Sequence, residues 1–180
     1  MSGRWPVPAS ARAVGHEARS TWLLSDVPAT EQLGTVLARG CPWSETTARV
    51  LHLSGELGAG KTTLAAALLR ELGVNEPVRS PSYALIELYQ LGTRIAAHID
   101  LYRLNSPNEL ATLGLRDYLT GQTLLIIEWP ERGGSAVPKP DLHLQLETLP
   151  VRSATASAGS EAGGIWLNDA RAALTTEVKN

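Results

Sequence analysis

Apolar positions along the chain change period several times, and these changes divide it into elements. Residues 21–24 read as a short strand, and Pro28 opens a stretch where Leu33, Val36 and Leu37 recur at helical spacing up to Gly40. Residues 49–54, RVLHLS, form a compact strand-like run that passes into glycines. Leu64, Leu68, Leu69 and Leu72 then recur at helical spacing before Gly73. Residues 83–90 and 94–101 are β-compatible runs joined by Leu91-Gly92-Thr93, short enough for a hairpin. Ser106-Pro107-Asn108-Glu109 carries the elements of a capping box and predicts a helix running toward Leu119. Residues 123–127 are apolar on both faces until Glu128, the signature of a central strand covered on both sides. Residues 141–147 alternate Leu142, Leu144 and Leu146 with polar positions, and residues 152–157 are placed to return beside them.

Between the second run and its helix lies Gly55-Glu56-Leu57-Gly58-Ala59-Gly60-Lys61-Thr62, the G-x-x-x-x-G-K-[ST] pattern in its strand-to-helix context. Glycines there let successive backbone N–H groups curl around a phosphate, and the helix start adds the positive end of its dipole. Lys61 reaches the β- and γ-phosphates and the Thr62 hydroxyl is placed to ligate Mg²⁺, with Thr63 following in the same turn. Phosphoryl transfer needs a second group at the metal, and Glu128, at the end of a buried strand, fits that position. A surface glutamate ending its strand is the alternative. Asp100 ends another apolar strand. It fits equally a turn aspartate and a switch group that orients water or senses the γ-phosphate. His98 shares its face, where a packed or hydrogen-bonded histidine is commoner than a catalytic one. Arg103 reads first as a surface ion pair, then as a contact to transition-state charge or a partner.

Together these elements predict a three-layer α/β P-loop NTPase fold, with a central mixed sheet flanked by helices and antiparallel edge hairpins. One domain is expected over residues 21–158. Residues 1–20 are expected to be a disordered extension, and residues 159–180 a weakly specified tail. The apolar fraction of 43% and charged fraction of 19% suit a folded soluble protein, and no apolar run approaches the roughly 20 residues of a membrane span. A net charge of −2 provides no general attraction to nucleic acid. Cys41 is the sole cysteine, which excludes an intramolecular disulfide or a cysteine zinc cluster. It is expected to be a buried apolar residue in a reducing, cytoplasmic setting. Arg4, Arg12 and Arg19 occur near the start without the apolar segment of a secretory signal, and a transit peptide is the alternative to a disordered extension.

With GELGAGKTT, SPSY, HIDLYRL, ELATLGLRDYL and IEWPER in this order over residues 27–157, the chain resembles the bacterial TsaE (YjeE) family, the ATPase of tRNA threonylcarbamoyladenosine biosynthesis. The resemblance implies ATP and Mg²⁺ as cofactors, held by Gly55 to Thr63 with Trp129 near the nucleotide, and the metal on Thr62 and Glu128. It implies a catalytic set of Lys61, Asp100 and Glu128, with Asp100 in a switch-like segment needed for hydrolysis. It further implies TsaD and TsaB as partners, with tRNA an indirect one. Hydrolysis would support turnover of the complex that modifies adenosine 37, while threonylcarbamoyl transfer itself resides in TsaD. Glu56 stands where the family often has Asp, and Ser82-Tyr83 replaces the commoner Thr followed by an aromatic residue. A small-molecule P-loop kinase and a nucleotide-dependent docking module are the competing readings. A regulatory GTPase is excluded by the lack of N-K-x-D and D-x-x-G.

Overall fold

Asp26 starts the first helix because its carboxylate accepts from the Ala29 N–H at 2.8 Å, and Pro28 occupies the first turn, where a missing N–H costs nothing. This helix, α1 (Val27–Arg39), ends at Gly40, whose N–H bonds Val36 O at 3.0 Å. The computed structural model describes residues 19–177 apart from Ser82, Asn105, Pro107, Asn108 and Leu113. Most of the expected N-terminal extension (residues 1–18), the middle of the expected capping box and the Ser82 departure therefore lie outside the described residues.

Seven strands form one sheet: β1 (Arg19–Leu23), β2 (Arg49–Gly55), β3 (Ile86–Leu91), β4 (Arg94–Asp100), β5 (Thr123–Glu128), β6 (Leu142–Glu147) and β7 (Ser153–Ala158). Their spatial order is β1-β7-β6-β2-β5-β4-β3. The four central strands β6, β2, β5 and β4 are parallel, while β7, β1 and β3 are antiparallel additions at the edges. The mixed α/β class with antiparallel hairpins is thus the fold observed.

Alternate residues of the central strands serve two cores. Leu51, Leu53, Leu124, Ile126 and Ala96 pack under α1, α2 (Lys61–Glu71) and α4 (Glu161–Glu177). Val50, Leu125, Ile127, Ala97 and Ile99 pack against Leu101, Leu104, Leu110 and Leu115, which cover the opposite face. Parallel strands buried on both sides are continuous apolar runs for this reason.

Two segments depart from expectation. The helix expected to run toward Leu119 begins but does not reach it. α3 (Glu109–Thr112) is a single turn, and a 3-10 turn at Leu115–Tyr118 follows Gly114, whose left-handed backbone (φ 62°) ends the helical path. The segment after residue 158, where the sequence specifies little, forms α4. Its Trp166, Leu167 and Ala170 are buried, and Trp166 Nε1 donates to Leu37 O at 2.8 Å.

Cys41 is buried, and desolvation pushes its thiol up to about 12 against the lowering influence of Arg49 and Arg94. Alkylation by iodoacetamide at pH 8 is expected to be negligible in the native protein and rapid after denaturation, as mass spectrometry would read.

On β2, His52 donates Nε2–H to Pro138 O at 2.9 Å, and burial lowers its pKa to about 4. Burial also lowers the value of neighbouring His143. In the unfolded chain an imidazole takes its proton near pH 6.5, so between about 6.5 and 4 the unfolded state binds more protons and folding weakens as pH falls. His52 alone is expected to remove about 2 kcal/mol on going from pH 7 to pH 5. Urea denaturation at the two pH values measures this, and a His52→Gln variant should lose most of the dependence.

Candidate functional site

The loop between β2 and α2 bends as it does because glycines stand where the backbone enters positive φ: Gly55 at 138°, Gly58 at 79° and Gly60 at 105°. At Gly55 a Cβ would lie 2.3 Å from Leu146 O on β6, so the loop base fits against the sheet only without a side chain. Lys61 opens α2 and is 5% exposed. Its Nζ donates to Gly55 O at 2.6 Å and Glu56 O at 2.8 Å, and lies 3.8 Å from the Trp129 ring centroid. Burial lowers the Lys61 pKa, opposed by the carboxylates of Glu128, Glu131 and Asp100.

Strand register brings the carboxylates together. β4 and β5 run parallel with Asp100 opposite Glu128, and β2 and β5 run parallel with Leu53 opposite Glu128. The ends of all three strands therefore share one edge, where open parallel sheets bind ligands. Glu128 is 1% exposed; its Oε2 accepts from Thr62 Oγ1 at 3.0 Å and its Oε1 from His98 Nε2 at 2.8 Å. The Asp100 carboxylate accepts from Tyr102 N–H at 2.9 Å through Oδ1 and from the Ser80 hydroxyl through Oδ2.

Beyond β5 the chain turns sharply. Trp129 has φ 58°, uncommon for a non-glycine residue, and its N–H is held by Leu53 O at 3.1 Å. This backbone state aims the indole at Lys61. Tyr102 lies against the indole with ring centroids 5.0 Å apart and planes tilted by 46°, and the Arg132 guanidinium lies 5.0 Å from the Tyr102 ring. Arg103 stacks on Tyr83 at 4.5 Å rather than forming an expected carboxylate pair.

A cavity of about 470 Å³ opens here, lined among others by Gly58, Lys61, Thr62, Asp100, Glu128 and Trp129. Leu57, Gly60, Thr63 and Arg103 also border it. Gly55, Glu56 and Ala59 do not: Gly55 and Glu56 contribute the carbonyls that hold Lys61, and Ala59 is buried beneath the loop. Hydroxyl and carboxylate oxygens side by side on Thr62 and Glu128 are hard donors of the kind Mg²⁺ takes, and Lys61 and Arg103 supply positive charge for an anion.

Sequence reasoning passed over several contacts. Ser80 stands in the SPSY segment, whose place in the resemblance was the available signal. His98 is packed and hydrogen-bonded as expected, but its partner, Glu128, is set by strand pairing and had no signal. Arg152, within 3.5 Å of the Gly58 and Ala59 carbonyls, had none.

A family model described as "Threonylcarbamoyl adenosine biosynthesis protein TsaE" matches residues 24–154. Three relatives named "tRNA threonylcarbamoyladenosine biosynthesis protein TsaE" illustrate the likeness. That of Haemophilus influenzae is 40% identical over 98 residues, covering 54% of this chain and 62% of the relative. That of Nostoc sp. is 40% identical over 113 residues, covering 61% and 67%. That of Bacillus subtilis is 35% identical over 98 residues, covering 54% and 61%. The matched stretch thus falls short of two thirds of the Haemophilus and Bacillus proteins. Among solved structures, the crystal structure of Bacillus subtilis YdiB shares the fold, with a TM-score of 0.71 over 87% of this chain and 96% of that one, at 23% identity. With the family model spanning most of the sheet and the whole glycine loop, this chain belongs to the TsaE family of threonylcarbamoyl adenosine biosynthesis proteins.

Proposed function

We propose that the protein is a Mg²⁺-dependent ATPase that acts with TsaB and TsaD in forming N6-threonylcarbamoyladenosine at position 37 of tRNA, its hydrolysis supporting turnover of that complex. The observation that carries the reading is the convergence of Lys61, Thr62, Asp100 and Glu128 on one cavity beside a glycine-bounded loop. The donor set fits Mg²⁺: Thr62 Oγ1 and Glu128 Oε2 are hard oxygens within 3.0 Å of each other. When bound, the ion supplies Lewis-acid polarisation of the phosphate oxygens.

Residues of this chain do the rest. The Lys61 ammonium exchanges two neutral carbonyls for β- and γ-phosphate oxygens, and the loop from Gly55 to Thr63 presents backbone N–H groups to the same anion. Asp100 orients the attacking water. Each of its oxygens already accepts one bond from the protein, which fixes the carboxylate and leaves acceptor capacity on both. Trp129 packs its ring on the Lys61 ammonium at one side of the cavity and shields that face of it from bulk water. Among the described residues no helix is long and apolar enough to cross a membrane, and we place the protein with its tRNA-modifying partners in the cytoplasm.

The test is ATP hydrolysis with and without Mg²⁺, by the protein alone and with TsaB, TsaD and tRNA. Stimulation by the partners that is lost in Asp100→Ala supports the proposal. Rapid hydrolysis indifferent to partners would replace it with an independent enzyme, and a phosphorylated small molecule among the products would replace it with the kinase reading. ATP binding is also expected to change the tryptophan emission as Lys61 leaves the indole face, and the change should vanish in Trp129→Phe.

A further inference from the structure

We infer that His98 is a positioning residue for the metal-binding carboxylate: it pins Glu128 Oε1 so that Oε2 alone is turned to Thr62 and the cation. The inference rests on the Mg²⁺ reading of the site.

His98 lies on β4 two residues before Asp100, on the same face of the strand, and is 0% exposed. Its Nε2 meets Glu128 Oε1 at 2.8 Å across the β4–β5 pairing. An ionised carboxylate only accepts, so Nε2 carries the proton and donates. Nδ1 is buried and, among the described residues, has no hydrogen-bond partner. An apolar side chain among Ala96, Ile126 and the helices above would fill this place without leaving a ring nitrogen unsatisfied. The imidazole therefore costs stability through one atom, and the bond to Glu128 is the gain that accounts for its presence.

Geometry explains what that bond does. Glu128 emerges from a buried strand end with two equivalent oxygens and a side chain free to rotate about its terminal torsion. With Oε1 held by His98 and Oε2 by Thr62 at 3.0 Å, the carboxylate has one orientation, and the oxygen beside Thr62 is the one left to a cation. Groups that hydrogen-bond a metal's ligands from behind commonly govern affinity as strongly as this.

The experiment compares the parent protein with His98→Asn, His98→Gln and Glu128→Gln, each with a non-hydrolysable ATP analogue, and titrates Mn²⁺ by electron paramagnetic resonance. An Asn amide reaches the place of Nδ1 and a Gln amide that of Nε2, so the two variants keep polarity and differ in whether they reach Oε1. His98→Asn is expected to weaken Mn²⁺ binding about 10-fold or more, and His98→Gln to recover it to within about threefold of the parent. Analogue affinity without metal and the thermal midpoint are the controls for folding. If His98→Asn binds Mn²⁺ like the parent while Glu128→Gln does not, the positioning role is overturned and the metal site stands. If Glu128→Gln also binds like the parent, the metal assignment itself fails and the role of His98 with it. An equal loss of metal-free analogue affinity in His98→Asn would mark a general structural defect and would likewise overturn the inference.

Discussion

Lys61→Ala is expected to lower kcat/KM for ATP by roughly 100-fold or more, the range seen when one preorganised donor to developing charge is removed. In the free protein the ammonium rests on two neutral carbonyls, of Gly55 and Glu56, and against the Trp129 ring. A triphosphate offers a charged acceptor in place of neutral ones, and the Lys61 side chain is itself largely buried, so the exchange favours the bound state. Alanine removes that contact and leaves the two carbonyls of the loop without their donor. Steady-state kinetics with a binding titration of the analogue would separate lost affinity from lost turnover, and hydrolysis at the parental rate would refute the assignment of this loop to phosphate.

The second large effect concerns the fold. Trp166→Ala is expected to destabilise the protein by about 3–5 kcal/mol, a substantial part of the 5–15 kcal/mol typical of a domain. Trp166 is 0% exposed and packs in the core shared by α1, α2 and the sheet, with its indole N–H on Leu37 O. The substitution opens a large cavity and takes away the donor at the Leu37 carbonyl. Trp166→Phe keeps much of the volume and should cost less. Urea denaturation followed by circular dichroism measures both. A change under about 1 kcal/mol for the alanine variant would mean that α4 is not part of the cooperative unit. Because β6 lies beneath α4 and carries Leu146 against Gly55, the same variant tests whether the glycine loop depends on this packing.

Local signals in the chain were read where the physics is local. Pro28 with the spacing up to Gly40, the Gly92 turn and the run from Thr123 to Glu128 needed only backbone preference and period, and α1, the β3–β4 hairpin and β5 formed where they suggest. The helix expected beyond Ser106 had a good start signal, but a left-handed Gly114 and the demand of Leu110 and Leu115 to cover the second core prevailed over it. α4 was illegible for the opposite reason. Gly163 and Gly164 dilute its helical signal, and its stability comes from a tryptophan that meets Leu37 across 129 residues of sequence.

The sequence by itself determined the class of fold, the glycine loop with Lys61 and Thr62, and the placing of Asp100 and Glu128 at strand ends, because each depends on residues a few positions apart. Only the tertiary structure decided that β4 and β5 lie side by side with those two carboxylates in register, that His98 backs Glu128, and that Trp129 and Tyr102 pack together on Lys61's side of the cavity. Strand order and register are properties of the whole packed sheet, set by which apolar faces bury against which helices, and no local run of residues carries them.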